Sequence, residues 1–197
     1  MFQNCSALKE VSILDNVTSL GIYAFSNCAA LETLTLPENL KHIDDYAFHN
    51  CAKLATVGSL KNIDYVGDYA FYGCAKLANI ELSPTTNVDT GAFYGCSSLT
   101  SVIFGDENAV MTIEEGEVQN TIEIKPYAFY GCSSLNSVWM PDEVTISIIG
   151  KEAFGNCTSL TTANWKVDTI KEKAFKNCSA LTEADFLTAT TIEKDIL

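Results

Sequence analysis

Eight cysteines divide this chain into units of nearly constant length, and that period constrains the fold more than any other feature. From Cys5 through Cys28, Cys51, Cys74, Cys96, Cys132 and Cys157 to Cys178, the steps are 23, 23, 23, 22, 36, 25 and 21 residues. A self-similar period in the twenties means one supersecondary unit stacked on its copies, because a unit this short cannot bury its apolar face alone. The 197 residues therefore predict one solenoid, 1–197, of about eight repeats.

Each position of the unit has a physical role. Three residues after every cysteine stands a leucine: Leu8, Leu31, Leu54, Leu77, Leu99, Leu135, Leu160 and Leu181. The positions six and eight after it are mostly apolar, as in Leu34 and Leu36, and alternate with mostly polar neighbours. That period of two marks a strand with one buried face. Eight residues before the cysteine come Leu20, Ile43, Val66, Val88, Ile124, Ile149 and Ile170, which predict a second, shorter strand on the opposite wall.

The link between the walls carries an Ala-Phe pair at a fixed distance: Phe25, Phe48, Phe71, Phe93, Phe129, Phe154 and Phe175, with Phe2 opening the chain in the same register. Stacked at the strand spacing of roughly 4.8 Å, these rings would form an aromatic spine along the solenoid axis. The residue before every cysteine is Asn or Gly, the types that tolerate positive φ. A single helical turn through Tyr-Ala-Phe is therefore expected to end there in a left-handed cap. Ser59 is the one polar entry in its inward column, and Gly58-Ser59-Leu60 predicts a small bulge in which Leu60 turns inward.

Leu31-x-x-Leu34-x-Leu36 and Tyr46-Ala47-Phe48-x-Asn50-Cys51-x-x-Leu54, with Pro37 after the preceding strand, resemble the leucine-rich repeat superfamily and, within it, the BspA-like (treponema-type) class. The resemblance covers essentially the whole chain. It implies an α/β solenoid, mostly β: a right-handed coil with a parallel sheet along the concave wall and short helical turns. It also implies a secreted or surface-displayed, extracellular protein acting in adhesion, with no shared catalytic residues to carry over. The chain reads as a piece of a longer protein, starting inside a repeat at Phe2 and stopping after Ile192 where another Ala-Phe is due.

Composition narrows the partners. A net charge of −13 argues against nucleic acid and anionic membrane surfaces, which require a basic footprint. No apolar run reaches the 18 residues expected of a membrane span. No cofactor is expected. An even cysteine count invites a disulfide framework. Here, however, each repeat has one cysteine at one core position, and parallel side chains one rung apart hold their Cβ atoms about 5 Å apart rather than about 3.8 Å. Free, buried thiols acting as small apolar residues with weak S–H donors are expected. No cysteine or histidine pair shows metal-ligand spacing, and His42 and His49 read as a loop residue and a surface turn residue. Of the four sequons, Asn4, Asn156 and Asn177 coincide with the capping turn, which leaves Asn16 as the glycan acceptor if the source is eukaryotic.

The interval before Cys132 carries about 13 extra residues, an inserted segment near 105–121. A β-hairpin with Val118 to Ile122 as its return strand is the expectation; such insertions either border a binding face or are surface elaborations. Its adjacent Glu114 and Glu115 would point to opposite faces of a strand, a poor acid–base pair.

Binding residues follow from register. If the residues six and eight after each cysteine face inward, those five and seven after face the concave solvent side. Asn79, Glu81, Ser101, Ser137 and Asn164 there are polar, whereas Ile103 and Trp139 on adjacent rungs are apolar. The expected ligand surface is centred on Ile103 and Trp139, and the expected partner is a protein or glycan on a host or neighbouring cell. The competing reading is a structural spacer within a larger surface protein; a uniformly polar concave face would favour it. The unpaired edges at both ends predict weak end-to-end self-association.

Overall fold

The computed structural model describes residues 2–106, 120–186 and 188–197. Its strands in chain order are β1 (Ser19–Leu20), β2 (His42–Ile43), β3 (Tyr65–Val66), β4 (Asn79–Leu82), β5 (Asn87–Val88), β6 (Ser101–Phe104), β7 (Asn120–Ile124), β8 (Ser137–Trp139), β9 (Val144–Ile149), β10 (Thr162–Asn164), β11 (Val167–Ile170), β12 (Glu183–Asp185) and β13 (Thr191–Ile192). Every pairing is parallel. The chain is therefore a mostly-β parallel solenoid, as the period requires.

The two walls are unequal in an unexpected way. The wall predicted to carry the shorter strands forms the one continuous sheet, eight strands in the order β1-β2-β3-β5-β7-β9-β11-β13. The L-x-x-L-x-L wall is divided into β4-β6-β8 and β10-β12, with an isolated bridge between Thr33 and Thr56 before them. The division has a local cause. Trp165, eight residues after Cys157, is buried, and its Nε1 donates to the Val138 carbonyl at 3.2 Å. The indole thus occupies an acceptor of β8 where β10 would otherwise pair.

No helical turn forms between the walls, contrary to the sequence expectation, and the hydrogen bonds show why. Alternate amides have different destinations. Ala24, Ser26 and Cys28 donate three residues back along their own rung, to Gly21, Tyr23 and Phe25. Tyr23, Phe25 and Asn27 donate to Asp45, Ala47 and His49 of the next rung, at 3.1, 2.7 and 2.7 Å. A helix would need all of these bonds within its own segment; here half of them bind neighbouring rungs together. The zigzag requires two left-handed residues. Asn4, Asn27, Asn50, Gly73, Gly95, Gly131, Asn156 and Asn177 all have φ between 59° and 74°, as expected of that column. The second left-handed position, five before the cysteine, holds Tyr23, Tyr46, Tyr69, Gly91, Tyr127, Glu152 and Lys173, and was not anticipated. Its one glycine, Gly91, was the only available signal.

The asparagines form a ladder as well. Asn27 Nδ2 donates to Asn4 Oδ1 at 3.0 Å, Asn50 to Asn27 at 3.2 Å, and Asn177 to Asn156 at 2.7 Å. The capping reading of the three turn sequons therefore holds, while Asn16 is exposed.

Inside, the phenylalanines stack with centroids 5.0–5.5 Å apart and planes within 13°. All the cysteines are free, and all but Cys5 are buried. Each buried thiol donates to the phenylalanine carbonyl of an earlier rung, from Cys28 to Phe2 at 3.0 Å through Cys178 to Phe154 at 3.1 Å. The column conserves its volume and satisfies a carbonyl in the interior at the same time. Leu60 is fully buried and bridges to Leu82 while Gly58 takes φ 77°, the bulge expected at Ser59.

The extra residues before Cys132 do not interrupt the stack. Gly91, Phe93 and Gly95 donate directly across them to Pro126, Ala128 and Tyr130 at 2.8–3.0 Å. The first arm of the expected hairpin, with Glu114 and Glu115, lies outside the described residues. Asn120–Ile122, within its expected return arm, is no hairpin partner of an adjacent arm in the described residues; it runs parallel to Val144–Ile146 as part of the continuous sheet.

Candidate functional site

On the L-x-x-L-x-L wall, β4, β6 and β8 pair in one register, so that Asn79, Ser101 and Ser137 form one row and Glu81, Ile103 and Trp139 the next. The inward residues between them, Ile80, Val102 and Val138, are buried, which turns both rows outward as the period of two requires. Ile103 and Trp139 are direct cross-strand partners, and both are half-buried.

Of the polar members of this surface, Asn79, Ser101, Glu81 and Asn164 have internal partners, whereas Ser137 is exposed. Asn79 Oδ1 accepts from Ser101 Oγ at 2.9 Å and from Thr100 Oγ1 at 2.8 Å. Glu81 accepts from Ser59 at 3.2 Å and pairs with Lys61 at 3.4 Å. Asn164 lies across the break in the wall, on β10, not in one continuous row with Trp139. Its Nδ2 donates to Glu183 at 2.7 Å and its Oδ1 accepts from the Asp185 amide at 2.9 Å. At this break a cavity of about 280 Å³ opens, lined by Met140, Pro141, Asn164, Trp165, Lys166 and Asp185 among others. A larger hollow, about 670 Å³, lies between Glu10–Asp15 and Thr33–Asn39, away from the Ile103–Trp139 pair.

The buried thiols are held in their protonated form. Burial pushes Cys51 up to about 12 and Cys178 up to about 11 from an ordinary 9.0, and holds Cys74, Cys96, Cys132 and Cys157 well above it. A nucleophile or metal ligand requires a thiolate. Among the described residues, no group of three or more His, Cys, Asp or Glu side chains is gathered as a metal site. No helix among them is long and apolar enough to cross a membrane.

One of the two histidines departs from expectation, His42 lying in a strand rather than a loop, while His49 does stand in a turn. His42 lies in β2 with Tyr65 beside it, and His49 is half-buried, stacked on Tyr72 at 4.8 Å. Burial lowers the His49 pKa, favouring the neutral ring. His49 belongs to an aromatic stripe along the turns that the sequence columns did not reveal. Tyr23, Tyr46 and Tyr69 stack at 5.0 and 5.4 Å; His49, Tyr72, Tyr94 and Tyr130 stack beside them at 4.8–5.0 Å. Edge contacts join the files at Tyr46–His49, Tyr69–Tyr72 and Tyr127–Tyr130. The recurring spacing Tyr69-x-x-Tyr72 and Tyr127-x-x-Tyr130 is the sequence signal for it, overshadowed by the Ala-Phe column. Glycines receive the last rings: a Cβ on Gly91 would stand 2.4 Å from the Tyr69 ring, and one on Gly155 2.7 Å from Tyr130.

Comparison with known proteins agrees with this geometry. A family profile described as a BspA type leucine rich repeat region matches in six copies, over residues 1–116 and 111–197. A leucine-rich repeat protein from Bacteroides ovatus superposes with a TM-score of 0.67 at 29% identity, covering 97% of this chain and 52% of its own. The leucine-rich repeat protein of T. pallidum gives 0.68 at 27% identity, covering 81% and 68%. One from Eubacterium ventriosum gives 0.70 at 24% identity, covering 86% and 42%, and shows the fold alone. This chain thus spans about half the length of the B. ovatus protein. No curated protein matches it.

Proposed function

The chain belongs to the BspA-type leucine-rich repeat family, and we propose that it is a non-catalytic recognition module of the cell exterior. Its L-x-x-L-x-L wall binds a protein or glycan of a host or neighbouring cell, as an adhesion-type contact. The observation that supports this reading is the Ile103–Trp139 pair, half-exposed and in direct register on a wall where Asn79, Ser101 and Glu81 are already taken up by internal partners. A partly exposed aromatic side chain beside an aliphatic one is the usual centre of an interface. The cavity at the adjoining break supplies a recess for a group reaching past Trp139.

Trp139→Ala should weaken binding to the ligand by at least about thirtyfold, the loss expected of a central aromatic anchor. The melting temperature should move by no more than about 2 °C, because Trp139 faces out of the wall while its neighbour Val138 faces the core. The measurement is an array of immobilised host glycans and extracellular proteins probed with both forms. Binding that survives the substitution places the site elsewhere. The spacer reading draws on the self-satisfied polar residues of the same wall, and an array with no specific binder would favour it.

The module is also expected to associate weakly with itself, end to end. The strands β1 and β13 are edges of the continuous sheet, and the large exposed apolar residues gather near them: Phe2, Leu14 and Ile22 at one end, Ile192 and Leu197 at the other. Unpaired edges with apolar neighbours invite pairing. Sedimentation velocity should show a weight-average coefficient that rises with concentration; a value independent of concentration up to millimolar protein would contradict this.

A further inference from the structure

One gap in the L-x-x-L-x-L wall is not filled by the chain itself. The Glu32 amide donates to the Lys9 carbonyl at 3.2 Å, and Asn39 Nδ2 donates to the Asp15 carbonyl at 2.9 Å. Between these two ties, among the described residues, no backbone hydrogen bond joins residues 10–15 of the first rung to residues 33–38 of the second. The N–H and C=O groups of Val11, Ser12 and Ile13 likewise have no partner among the described residues. On the facing rung, Leu34 and Leu36 donate onward to Thr56 and Val57, at 3.2 and 3.4 Å. By the alternation of a strand, the Thr35 N–H and C=O turn back toward the first rung, and they too are unbonded. The hollow of about 670 Å³ lies between these two edges. We propose that it docks an extended segment of a partner protein, which pairs as an added strand between the first two rungs and alternates apolar with basic residues.

Two facing edges of unused donors and acceptors match a peptide backbone, and strand addition is the binding mode that supplies one. The room agrees. At a rise of about 3.3 Å, a strand spacing of about 4.8 Å and a sheet spacing of about 10 Å, one sheet residue fills roughly 160 Å³. The hollow, at about 670 Å³, therefore accommodates about four residues. The wall's other gap shows what is missing here. Between β8 and β10 the Trp165 indole enters and donates to the Val138 carbonyl. The residue equivalent to Trp165 in the second rung is Leu36, which has no donor, and the carbonyl equivalent to that of Val138 belongs to Val11. The lining sets the pattern of the added strand. Val11, Ile13, Leu34 and Leu36 pack toward the core, so every second residue of the strand faces apolar groups. The exposed carboxylates of Glu10, Asp15 and Glu38 also line the hollow, and among the described residues none of them has an ion pair or hydrogen bond. Of the nearest cations, Lys41 donates to the Asn62 carbonyl and Lys53 pairs with Glu32, which leaves Lys9 against three carboxylates. Basic residues at the remaining positions of the strand meet an attractive rim.

Fluorescence anisotropy of the full chain with a labelled peptide of three Val-Lys repeats tests this, together with amide hydrogen exchange. The same peptide N-methylated at its valine amides keeps its charge and side chains but loses the donors along one edge, and it should bind at least about tenfold more weakly. The amides of Val11, Ser12 and Ile13 should exchange freely in the protein alone and be slowed at least about tenfold by the unmethylated peptide. The double variant Glu10→Gln, Glu38→Gln should lose about tenfold in affinity with an unchanged melting temperature, while Trp139→Ala should bind the peptide as the parent does. Equal affinity for the two peptides, or full affinity in the double variant, overturns the proposal. Protection of the three amides without peptide overturns it as well, because the gap is then closed by the chain itself or by a second copy. Loss of peptide binding in Trp139→Ala also overturns it, by moving the contact to the Ile103–Trp139 pair.

Discussion

Phe71→Ala is expected to cost about 3–5 kcal/mol of folding stability, the range for emptying a fully buried aromatic site. Phe71 has no exposed surface and lies between Phe48 at 5.0 Å and Phe93 at 5.2 Å. Its neighbours cannot close the gap, because the rung separation is fixed by backbone bonds, from the Phe71 amide to Ala92 at 2.7 Å and from the Phe48 amide to Ala70 at 2.7 Å. Each rung packs only on its neighbours, so a weakened interface in the middle should also divide the solenoid into two less cooperative halves. Phe2→Ala is the control. Phe2 is 43% exposed and stacks on Phe25 alone, so its loss should cost no more than about 1.5 kcal/mol. Denaturant unfolding of both variants measures the contrast, and equal costs would show that the rings do not act as a stack.

Alkaline pH should unfold the chain steeply, beginning near pH 9. Below the ordinary thiol value of 9.0 the buried cysteines are protonated in both the folded and unfolded states and contribute no pH dependence. Above it the unfolded chain releases protons that the folded chain retains. Stability from a raised pKa is therefore lost as pH climbs, up to about 12 for Cys51 and about 11 for Cys178. Each such thiol contributes about 1.4 kcal/mol per pH unit. Cys51, Cys74, Cys96, Cys132 and Cys157, all without exposed surface, together contribute about 7 kcal/mol per pH unit. That is comparable to the whole stability of an ordinary domain, about 5–15 kcal/mol. Thiolate absorbance and circular dichroism should therefore change together in one transition. Thiolate from more than one cysteine appearing near pH 9 with an unchanged spectrum would mean that the buried thiols are not enclosed.

What could be read from the sequence was what depends on burial. The Leu31, Phe25 and Cys28 columns repeat because every rung must present the same apolar shape to the next, and both walls follow from them. The helical turn was misread because Tyr-Ala-Phe is locally compatible with a helix. The bonds that prevent one, such as the Tyr23 amide to Asp45, join residues of different rungs, and no local pattern records them. The break in the L-x-x-L-x-L wall escaped notice for a related reason. Trp165 fits its column as an apolar residue, and only in three dimensions does its indole N–H reach the Val138 carbonyl. Of the site residues, register alone placed Asn79, Glu81, Ser101, Ile103, Ser137 and Trp139 on one surface; that same break set Asn164 apart from them.

The account's central claim is that one cysteine per rung is enclosed in a continuous stacked interior, and counting reactive thiols tests that directly. Native protein treated with a maleimide at neutral pH should add one label, at the exposed Cys5, and the same protein unfolded in denaturant should add eight, one for each cysteine. Labelling of most thiols in the native state, or fewer than eight in the unfolded reduced-free sample because some are paired, would contradict the account.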